Sequence, residues 1–205
     1  QRPEVSAAVK TVALSGNPLT GGEPMYLGDG KYAQIDGKDI SGVSVLFPST
    51  TQVTELDVSH CGLGPTSMPE LAKLVSDATA VLASLTLSGN SITGTKYEYG
   101  KWIYDADRSG FTSLCQVLGK LKDVNLSNCH LGPASMPELA KVFSDADAAL
   151  ASLNLSGNKI TGSIRTGPST WDYDKDLSGL NSLCDALLAV KDPLHLDLAD
   201  CGLGV

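Results

Sequence analysis

Two acidic segments of the chain have the residue types and the spacing of a calcium-binding loop. Residues 105–111 and 174–180 both read Asp-x-Asp-x-Ser-Gly followed by a hydrophobic residue, which is how an EF-hand loop begins. The match stops at position 12, where Gln116 and Asp185 replace the bidentate glutamate, and no helix is predicted to enter either loop. The residues that this hypothesis assigns to Ca2+ or another hard cation are Asp105, Asp107, Ser109, Asp174, Asp176 and Ser178.

The same segments also fit the start of a helix. Serine is a preferred N-cap, and acidic side chains near a helix N-terminus interact favourably with its dipole. Ser109 and Ser178 would each cap the helix that follows, as would Ser41 in the degenerate first copy at residues 36–42. The sequence favours this capping interpretation over a metal site, so no cofactor is predicted apart from the calcium alternative.

The remaining polar residues form no recognisable catalytic group. His60, His130 and His195 share no sequence context and no recurring acidic or cysteine partner, and the sequence contains no G-x-S-x-G, H-E-x-x-H or C-x-x-C. Residues 94–101 differ from a phosphate-binding loop because the glycines are one residue too far apart and Trp102 replaces the Ser or Thr that a metal needs. We therefore expect no enzyme activity.

Charge and hydropathy narrow the classes of partner. Fifteen Lys and Arg residues against 23 Asp and Glu give the 205-residue chain a net charge of −8. This is the wrong sign for a protein that neutralises nucleic-acid phosphates or anionic lipid. No apolar run approaches the ~20 residues that a transmembrane helix requires. The predicted partner is a protein or a second copy of the chain, without nucleic acid and without membrane insertion.

The large aromatic side chains are confined to three segments, residues 20–38, 95–108 and 163–177, which hold all six Tyr and both Trp. None of them falls in a predicted strand or helix. Aromatic residues with a polar handle, concentrated in loops on a rigid scaffold, are typical of a binding surface. The alternative is a satellite core folded back over the helices. The predicted partner-binding residues are Tyr97, Tyr99, Trp102, Tyr104, Trp171 and Tyr173.

An internal repeat organises the rest of the chain. Residues 62–94 and 130–162 align without a gap and with 25 of 33 positions identical. Within them lies a shorter unit with aliphatic residues at positions 1, 4, 6 and 11 and Asn or Cys at position 9. It occurs six times, beginning at residues 9, 53, 82, 121, 150 and 193. Position 9 alternates along the chain as Asn17, Cys61, Asn90, Cys129, Asn158 and Cys201.

This unit resembles the pattern L-x-x-L-x-L-x-x-[N/C]-x-L of the leucine-rich repeat family. The alternation at position 9 resembles its ribonuclease-inhibitor-like subclass, whose members form α/β horseshoes that bind proteins. The resemblance implies a single domain over residues 1–205, an α/β solenoid in the form of a right-handed horseshoe or a gently curved rod. Its parallel sheet would line the concave side and its helices the convex side. The three aromatic segments depart from the family pattern, because they lengthen every second repeat by about 10–15 residues.

Local patterns predict where the strands and helices lie. Positions 4 and 6 alternate with polar residues, as at residues 124–126, which predicts a short strand with its aliphatic side chains turned inward. Ser67 and Ser135 each precede Met-Pro-Glu, which predicts a capping box with the serine as N-cap and the proline in the first turn. Further helices are predicted from residues 42, 110 and 179.

All five cysteines are predicted to be free thiols. Three share position 9 of the repeat, and Cys115 and Cys184 share a helical position, so each is interpreted as a small core residue. Successive position-9 cysteines would lie two strands, or about 10 Å, apart, which is too far for a disulfide. A bridge between Cys115 and Cys129 is the alternative.

Two N-x-S sequons lie at position 5 of neighbouring units. They predict N-glycosylation at Asn125 and Asn154. The alternative is that the sequons are a by-product of the repeat consensus and carry no glycan. Together with the start at Gln1, the sequons favour a secreted or cell-surface location, against which five free thiols weigh.

Neither end of the array has a recognisable capping repeat, which a solenoid normally needs. The sequence therefore predicts either a piece of a longer array or a subunit that joins head-to-tail into filaments. Three functions are compatible with these observations. The leading one is a non-enzymatic scaffold for protein–protein interaction, and the alternatives are a structural repeat protein that polymerises and a calcium-stabilised adhesion module.

Overall fold

The computed structural model describes residues 9–21, 24–28, 31–34, 39–50, 52–77, 81–98, 101–145, 148–165 and 170–204. The helices are α1 (Ser41–Leu46), α2 (Met68–Ser76), α3 (Ser109–Leu118), α4 (Met136–Phe143) and α5 (Ser178–Leu187), with 3-10 turns at Phe47–Thr50 and Pro133–Ser135. The strands are β1 (Thr11–Ala13), β2 (Pro24–Gly28), β3 (Lys31–Gln34), β4 (Glu55–Asp57), β5 (Ser84–Thr86), β6 (Lys96–Glu98), β7 (Lys101–Ile103), β8 (Asp123–Asn125), β9 (Ser152–Asn154), β10 (Ile164–Arg165), β11 (Trp171–Asp172) and β12 (His195–Asp197). Within these ranges, no helix has the length and apolar content that crossing a membrane requires.

Six of the strands form one parallel sheet, in the order β1-β4-β5-β8-β9-β12. The register places the same position of successive repeats side by side, as for Leu56, Leu85, Val124 and Leu153. These four side chains are at most 3% exposed, because each strand turns its central aliphatic residue toward the helices. The predicted fold class is confirmed: the chain is a mixed α/β solenoid with an open six-stranded parallel sheet.

The helices pack closely on their neighbours. α2 packs against α3, and α4 packs against both α3 and α5. A Cβ atom at Gly110, in the first turn of α3, would lie only 1.9 Å from the carbonyl oxygen of Pro65, and one at Gly179 in α5 would lie 2.0 Å from that of Pro133. Packing between repeats therefore requires the glycine of each Asp-x-Asp-x-Ser-Gly segment.

The starts of α2 and α4 differ from the predicted capping boxes. Ser67 and Ser135 directly precede these helices and a proline lies in each first turn, as predicted, but neither serine hydroxyl bonds to its own helix. Instead of bonding back to the serine, Glu70 forms an ion pair with Lys73, and Glu138 forms one with Lys141. The buried Ser67 hydroxyl has no hydrogen-bond partner within the described part of the chain, whereas that of Ser135 bonds to Asp105 of the preceding insertion.

Buried asparagines join successive repeats. The side-chain oxygen of Asn90 accepts hydrogen bonds from the backbone N–H groups of Cys61 and Leu63, both at 3.0 Å. Its Nδ2 donates to the carbonyl oxygens of Val58 and Leu87 at 2.9 and 2.8 Å. One side chain thus satisfies four backbone groups in two units, which explains why an amide recurs at position 9.

The five cysteines are free, as predicted, but their burial is not uniform. Cys61, Cys115, Cys129 and Cys201 are buried, whereas Cys184 is exposed. Burial raises the pKa of the Cys129 thiol to about 12, which keeps it protonated and unreactive. The core assignment is therefore wrong for Cys184, because no described element covers the side of α5 on which it lies.

Candidate functional site

The three aromatic segments form β-hairpins rather than the irregular loops that the sequence predicts. β2 pairs with β3, β6 with β7, and β10 with β11, each pair antiparallel. We call these three hairpins the insertion rim. Tyr97 and Trp102 are register partners in the β6–β7 ladder. The expectation that the aromatics lie outside strands is wrong for five of them, since short alternating segments such as Lys-Trp-Ile pair locally. These five are Tyr26, Tyr32, Tyr97, Trp102 and Trp171, whereas Tyr104 and Tyr173 lie outside the strands as expected.

Each insertion is fixed to the next repeat at the same point. A hydroxyl in or just before the insertion donates a hydrogen bond to the carbonyl oxygen of the residue at position 10 of the following unit. This bond joins Thr20 to Gly62 at 2.6 Å, Thr95 to His130 at 2.8 Å and Ser163 to Gly202 at 2.6 Å. The base of each insertion is therefore held in register with the solenoid.

Trp102 anchors the second hairpin by stacking. Its ring lies 5.5 Å from that of His130, with an interplanar angle of 13°, and 6.2 Å from that of Tyr104, with an angle of 18°. Tyr104 is half-buried, and desolvation raises the pKa of its hydroxyl to about 12. These contacts support the satellite-core interpretation for Trp102 and Tyr104, because Trp102 packs against the neighbouring repeat and Tyr104 packs against Trp102.

His130 adopts a strained backbone to make this contact. Its φ is +56°, in the left-handed region, whereas the same position holds glycine at Gly62 and Gly202 with φ of +69° and +73°. This conformation is less favourable for histidine, which has a Cβ atom, than for glycine. Burial lowers the pKa of the His130 imidazole below its usual value, and the nearby charge of Lys159 lowers it further. The neutral ring therefore stacks on Trp102.

Asp105, the first aspartate of the acidic segment 105–111, caps the next repeat. The carboxylate of Asp105 accepts hydrogen bonds from the backbone N–H of Gly132 at 3.1 Å and from that of Ser135 at 2.9 Å. It also accepts a bond from the Ser135 hydroxyl. Asp174 is placed alike in the third insertion and accepts the N–H of Gly204 at 3.1 Å. Asp105 and Asp174 thus connect an insertion to the following unit.

The second aspartate of each segment caps its own helix. Asp107 Oδ1 accepts bonds from the N–H and the hydroxyl of Ser109 at 3.0 and 2.7 Å, and Asp176 does the same with Ser178 at 2.9 and 2.6 Å. These bonds lower the pKa of both carboxyl groups. The predicted roles are reversed: the serine is the first residue of the helix, and the aspartate two residues earlier caps it.

No group of three or more His, Cys, Asp or Glu side chains converges on a metal-sized site within the described ranges. Asp105 and Asp107 are directed to different repeats, and Asp174 and Asp176 are divided in the same way. Capping and packing therefore account for both aspartates, the serine and the glycine of the motif. Calcium binding at these segments stays a prediction.

Of the remaining predicted contact residues, only Tyr173 has a side chain that the structure describes. Tyr173 is 50% exposed. Tyr97 and Trp171 belong to β6 and β11, but their side chains lie outside the described atoms, and Tyr99 lies outside the described residues. Two residues not predicted from the sequence, Ile103 and Ile164, are 39% and 40% exposed on hairpin strands. The sequence signal that could have indicated these two residues is an isoleucine within an insertion rich in aromatic residues.

The two sequon asparagines lie side by side on the open face of the sheet. Asn125 and Asn154 are register partners in β8 and β9. Their Oδ1 atoms accept the N–H groups of Ser127 and Ser156 at 2.9 and 2.8 Å. Neighbouring strands are about 4.8 Å apart, so glycans on both asparagines would collide. Modification at either residue stays a prediction.

Comparison with family models gives two matches. Residues 51–72 and residues 149–171 each match a model described as leucine-rich repeat. No curated protein matches the chain. The two segments fall in different parts of the repeat array and support the repeat assignment, while the ribonuclease-inhibitor-like subclass stays a prediction.

Proposed function

Since the chain carries leucine-rich repeats, which generally mediate protein–protein interaction, we propose that it is a non-enzymatic scaffold that binds a protein partner through the insertion rim. The observation that carries this proposal is the anchoring of the second hairpin. Trp102 stacks on His130, and Asp105 bonds to the start of the next helix. A surface fixed before binding loses less conformational entropy when its partner docks.

The aromatic residues of the rim then divide into two roles. Trp102 holds the second hairpin against the next repeat by stacking on His130, and Tyr104 stacks on Trp102. Tyr173, Ile103 and Ile164 present apolar surface to solvent. We assign them to the contact together with Tyr97, Tyr99 and Trp171, which belong to the same two insertions in the sequence. Aromatic side chains in the centre of a protein interface often supply most of its binding energy, and exposed aliphatic side chains beside them add apolar area.

The open face of the sheet is the competing contact surface. Its side chains are small and polar, and several already bond within the sheet, such as Asp57 to Ser59 and Asn125 to Ser127. Side chains engaged in this way would have to exchange bonds when a partner docks, and the exchange contributes little net affinity. The rim, with exposed apolar groups, is therefore the better candidate.

Capture of a partner by two matched variants tests the proposal. The immobilised chain is compared with a rim variant carrying Ile103→Ser, Ile164→Ser and Tyr173→Ser, and with a sheet variant carrying Thr86→Lys and Asn125→Lys. Proteins captured from the source cells are identified by mass spectrometry. We expect the partner to be lost with the rim variant and retained with the sheet variant. The opposite pattern would reject the rim.

End-to-end assembly is a second candidate, favoured by a separate observation. β1 and β12 are the outer strands of the sheet as described, and each pairs along one side only. Leu203 is 45% exposed, whereas its counterparts Leu63 and Leu131 in the preceding units are fully buried. Unpaired strand edges and exposed core positions favour the addition of another unit. Sedimentation that shows only monomers at high concentration would reject self-assembly.

A further inference from the structure

The turn before α2 contains buried hydrogen-bond donors that lack an acceptor. The hydroxyl of Ser67 is fully buried and has no partner within the described part of the chain. The backbone N–H of Gly64, which is also buried, donates to none of the described residues. A buried polar group without a partner costs free energy. Two such donors within one turn therefore indicate an acceptor that the described residues do not supply.

The corresponding turn before α4 shows which acceptor fits these donors. There, the carboxylate of Asp105 accepts hydrogen bonds from the N–H of Gly132 at 3.1 Å, the N–H of Ser135 at 2.9 Å and the Ser135 hydroxyl. Gly132 and Ser135 are the counterparts of Gly64 and Ser67 in the aligned repeats. The acceptor is therefore a single carboxylate that uses both of its oxygens.

The two turns have the same backbone conformation. Ser67 has φ and ψ of −84° and −23°, and Ser135 has φ and ψ of −80° and −25°. The N–H of each serine also bonds to the carbonyl oxygen of the glycine three residues earlier, at 3.0 Å for Ser67 and 3.3 Å for Ser135. Both turns therefore direct the same N–H groups in the same way.

The two turns differ in the residue that would supply the acceptor. The sequence has Gly37 in the place of Asp105. Glycine lacks the carboxymethyl group of aspartate, and this group has the size of an acetate ion. The acidic residue in the first turn of α2 is engaged elsewhere, since Glu70 forms an ion pair with Lys73 at 2.6 Å. As far as the described residues extend, the turn before α2 thus keeps the donors of a carboxylate site without the carboxylate.

We propose that the N–H of Gly64 and the N–H and hydroxyl of Ser67 bind a small monocarboxylate from solution. The bound anion takes the place that the Asp105 carboxylate has before α4, and it satisfies the two donors that otherwise lack an acceptor. It also lies at the positive end of the dipole of α2, a helix of nine residues, where negative charge is favourable. The ligand is a small ion rather than a protein, so this site is independent of partner binding at the insertion rim.

Titration with acetate, followed by 15N NMR of the labelled chain, tests the site directly. Sodium acetate replaces sodium chloride at constant ionic strength and pH 7. We expect the amide signals of Gly64 and Ser67 to shift saturably, with half-saturation between about 1 and 100 mM, because so small a ligand binds weakly. Saturating acetate should also raise Tm by about 3 °C relative to chloride. Ser67→Ala removes one of the three donors and should weaken acetate binding by about tenfold.

The turn before α4 provides the matched control. Asp105→Gly removes the carboxylate there, and glycine suits the backbone at this position, whose φ is +55°. In this variant, the amide signals of Gly132 and Ser135 should respond to acetate as those of the first turn do. In the unaltered chain they should not respond, because Asp105 already accepts their hydrogen bonds.

Two results would overturn the proposal. One is that the signals of Gly64 and Ser67 stay in place up to about 200 mM acetate, and a response of Asp105→Gly in the same experiment would show that the method detects such binding. The other is a shift of the Gly64 signal whose half-saturation Ser67→Ala leaves unchanged, with circular dichroism confirming that the variant folds. That result would assign the shift to a general effect of acetate rather than to this site.

Discussion

The carboxylate of Asp105 accepts hydrogen bonds from both the backbone N–H and the hydroxyl of Ser135, a residue in the next repeat. This relationship joins an insertion to the solenoid through the start of a helix. A charged acceptor strengthens each bond relative to a neutral one. The insertion thereby becomes part of the stacking between repeats, in addition to the strands and the buried asparagines.

Ser135→Ala should lower the free energy of unfolding by about 2 kcal/mol, because it removes a bond to a carboxylate. Ser67 provides the matched control. It holds the same place before α2 and is equally buried, but its hydroxyl has no partner among the described residues. In the sequence, Gly37 stands where the second insertion has Asp105. Ser67→Ala should therefore be neutral or stabilising by up to about 1 kcal/mol. Urea unfolding of both variants measures the difference, and equal losses would contradict this account.

Trp102→Ala should lower Tm by about 5 °C, because the ring stacks on both His130 and Tyr104. Tyr173→Ala is the comparison, since that side chain is half exposed, and it should change Tm by less than about 1 °C. Differential scanning calorimetry gives both values. If Tyr173→Ala destabilises the chain as much as Trp102→Ala, the division of the rim into anchoring and contact residues is wrong.

The repeat core could be predicted from the sequence because its signals are local and recur. The aliphatic residues at positions 4 and 6, such as Leu85 and Leu87, alternate within a few residues, and both are fully buried. The free thiols followed from the same alignment. The alignment predicted burial incorrectly for Cys184. Its burial depends on what covers α5, and the sequence of its own helix does not contain that information.

The geometry of the rim could not be predicted because its contacts join different repeats. Nothing near Asp105 in the sequence indicates that Ser135 is its partner, and the stack of Trp102 on His130 has no periodic signature. The motif around Asp105 also resembles a metal loop, since capping and Ca2+ coordination both select aspartate and serine. One weak signal was present: His130 replaces the glycine found at Gly62 and Gly202.

Stability should fall as the pH drops below about 6.5, the usual pKa of an unfolded histidine. Burial lowers the pKa of His130 in the folded chain, so between the two pKa values the unfolded chain binds a proton that the folded chain does not. The part of the free energy of unfolding that comes from neutral His130 is complete above pH 6.5. It is lost as the pH falls through the pKa of His130 in the folded chain. His130→Asn, which keeps a residue that tolerates positive φ, should flatten the decline between pH 7.5 and 5. Urea midpoints across this range measure it, and identical slopes would contradict the assignment.

A second loss of stability is expected at lower pH from the helix caps. The bonds from Ser109 and Ser178 lower the pKa of Asp107 and Asp176 below 3.8. The stabilisation that these two carboxylates give is therefore present above the pKa of aspartate in the unfolded chain. It disappears as the pH falls through their pKa values in the folded chain. Asp107→Asn and Asp176→Asn together should reduce this acid-dependent step and leave the step near neutral pH unchanged.

Asn90→Ala should be among the most damaging single substitutions in the chain. The amide is fully buried. Its loss leaves the N–H groups of Cys61 and Leu63 and the carbonyl oxygen of Val58 without a described partner, and leaves the carbonyl oxygen of Leu87 with only the weak bond from the Cys129 thiol at 3.3 Å. Each buried unsatisfied group costs about 1–3 kcal/mol, so we expect the free energy of unfolding to fall by about 4 kcal/mol or more. Asn17 has the same position in the first unit, but it is exposed and its Nδ2 donates a hydrogen bond to the carbonyl oxygen of Leu14, within its own unit. Asn17→Ala should cost about 1 kcal/mol or less. Urea unfolding of the two variants compares them directly, and comparable losses would mean that position 9 stabilises each unit separately rather than joining neighbouring units.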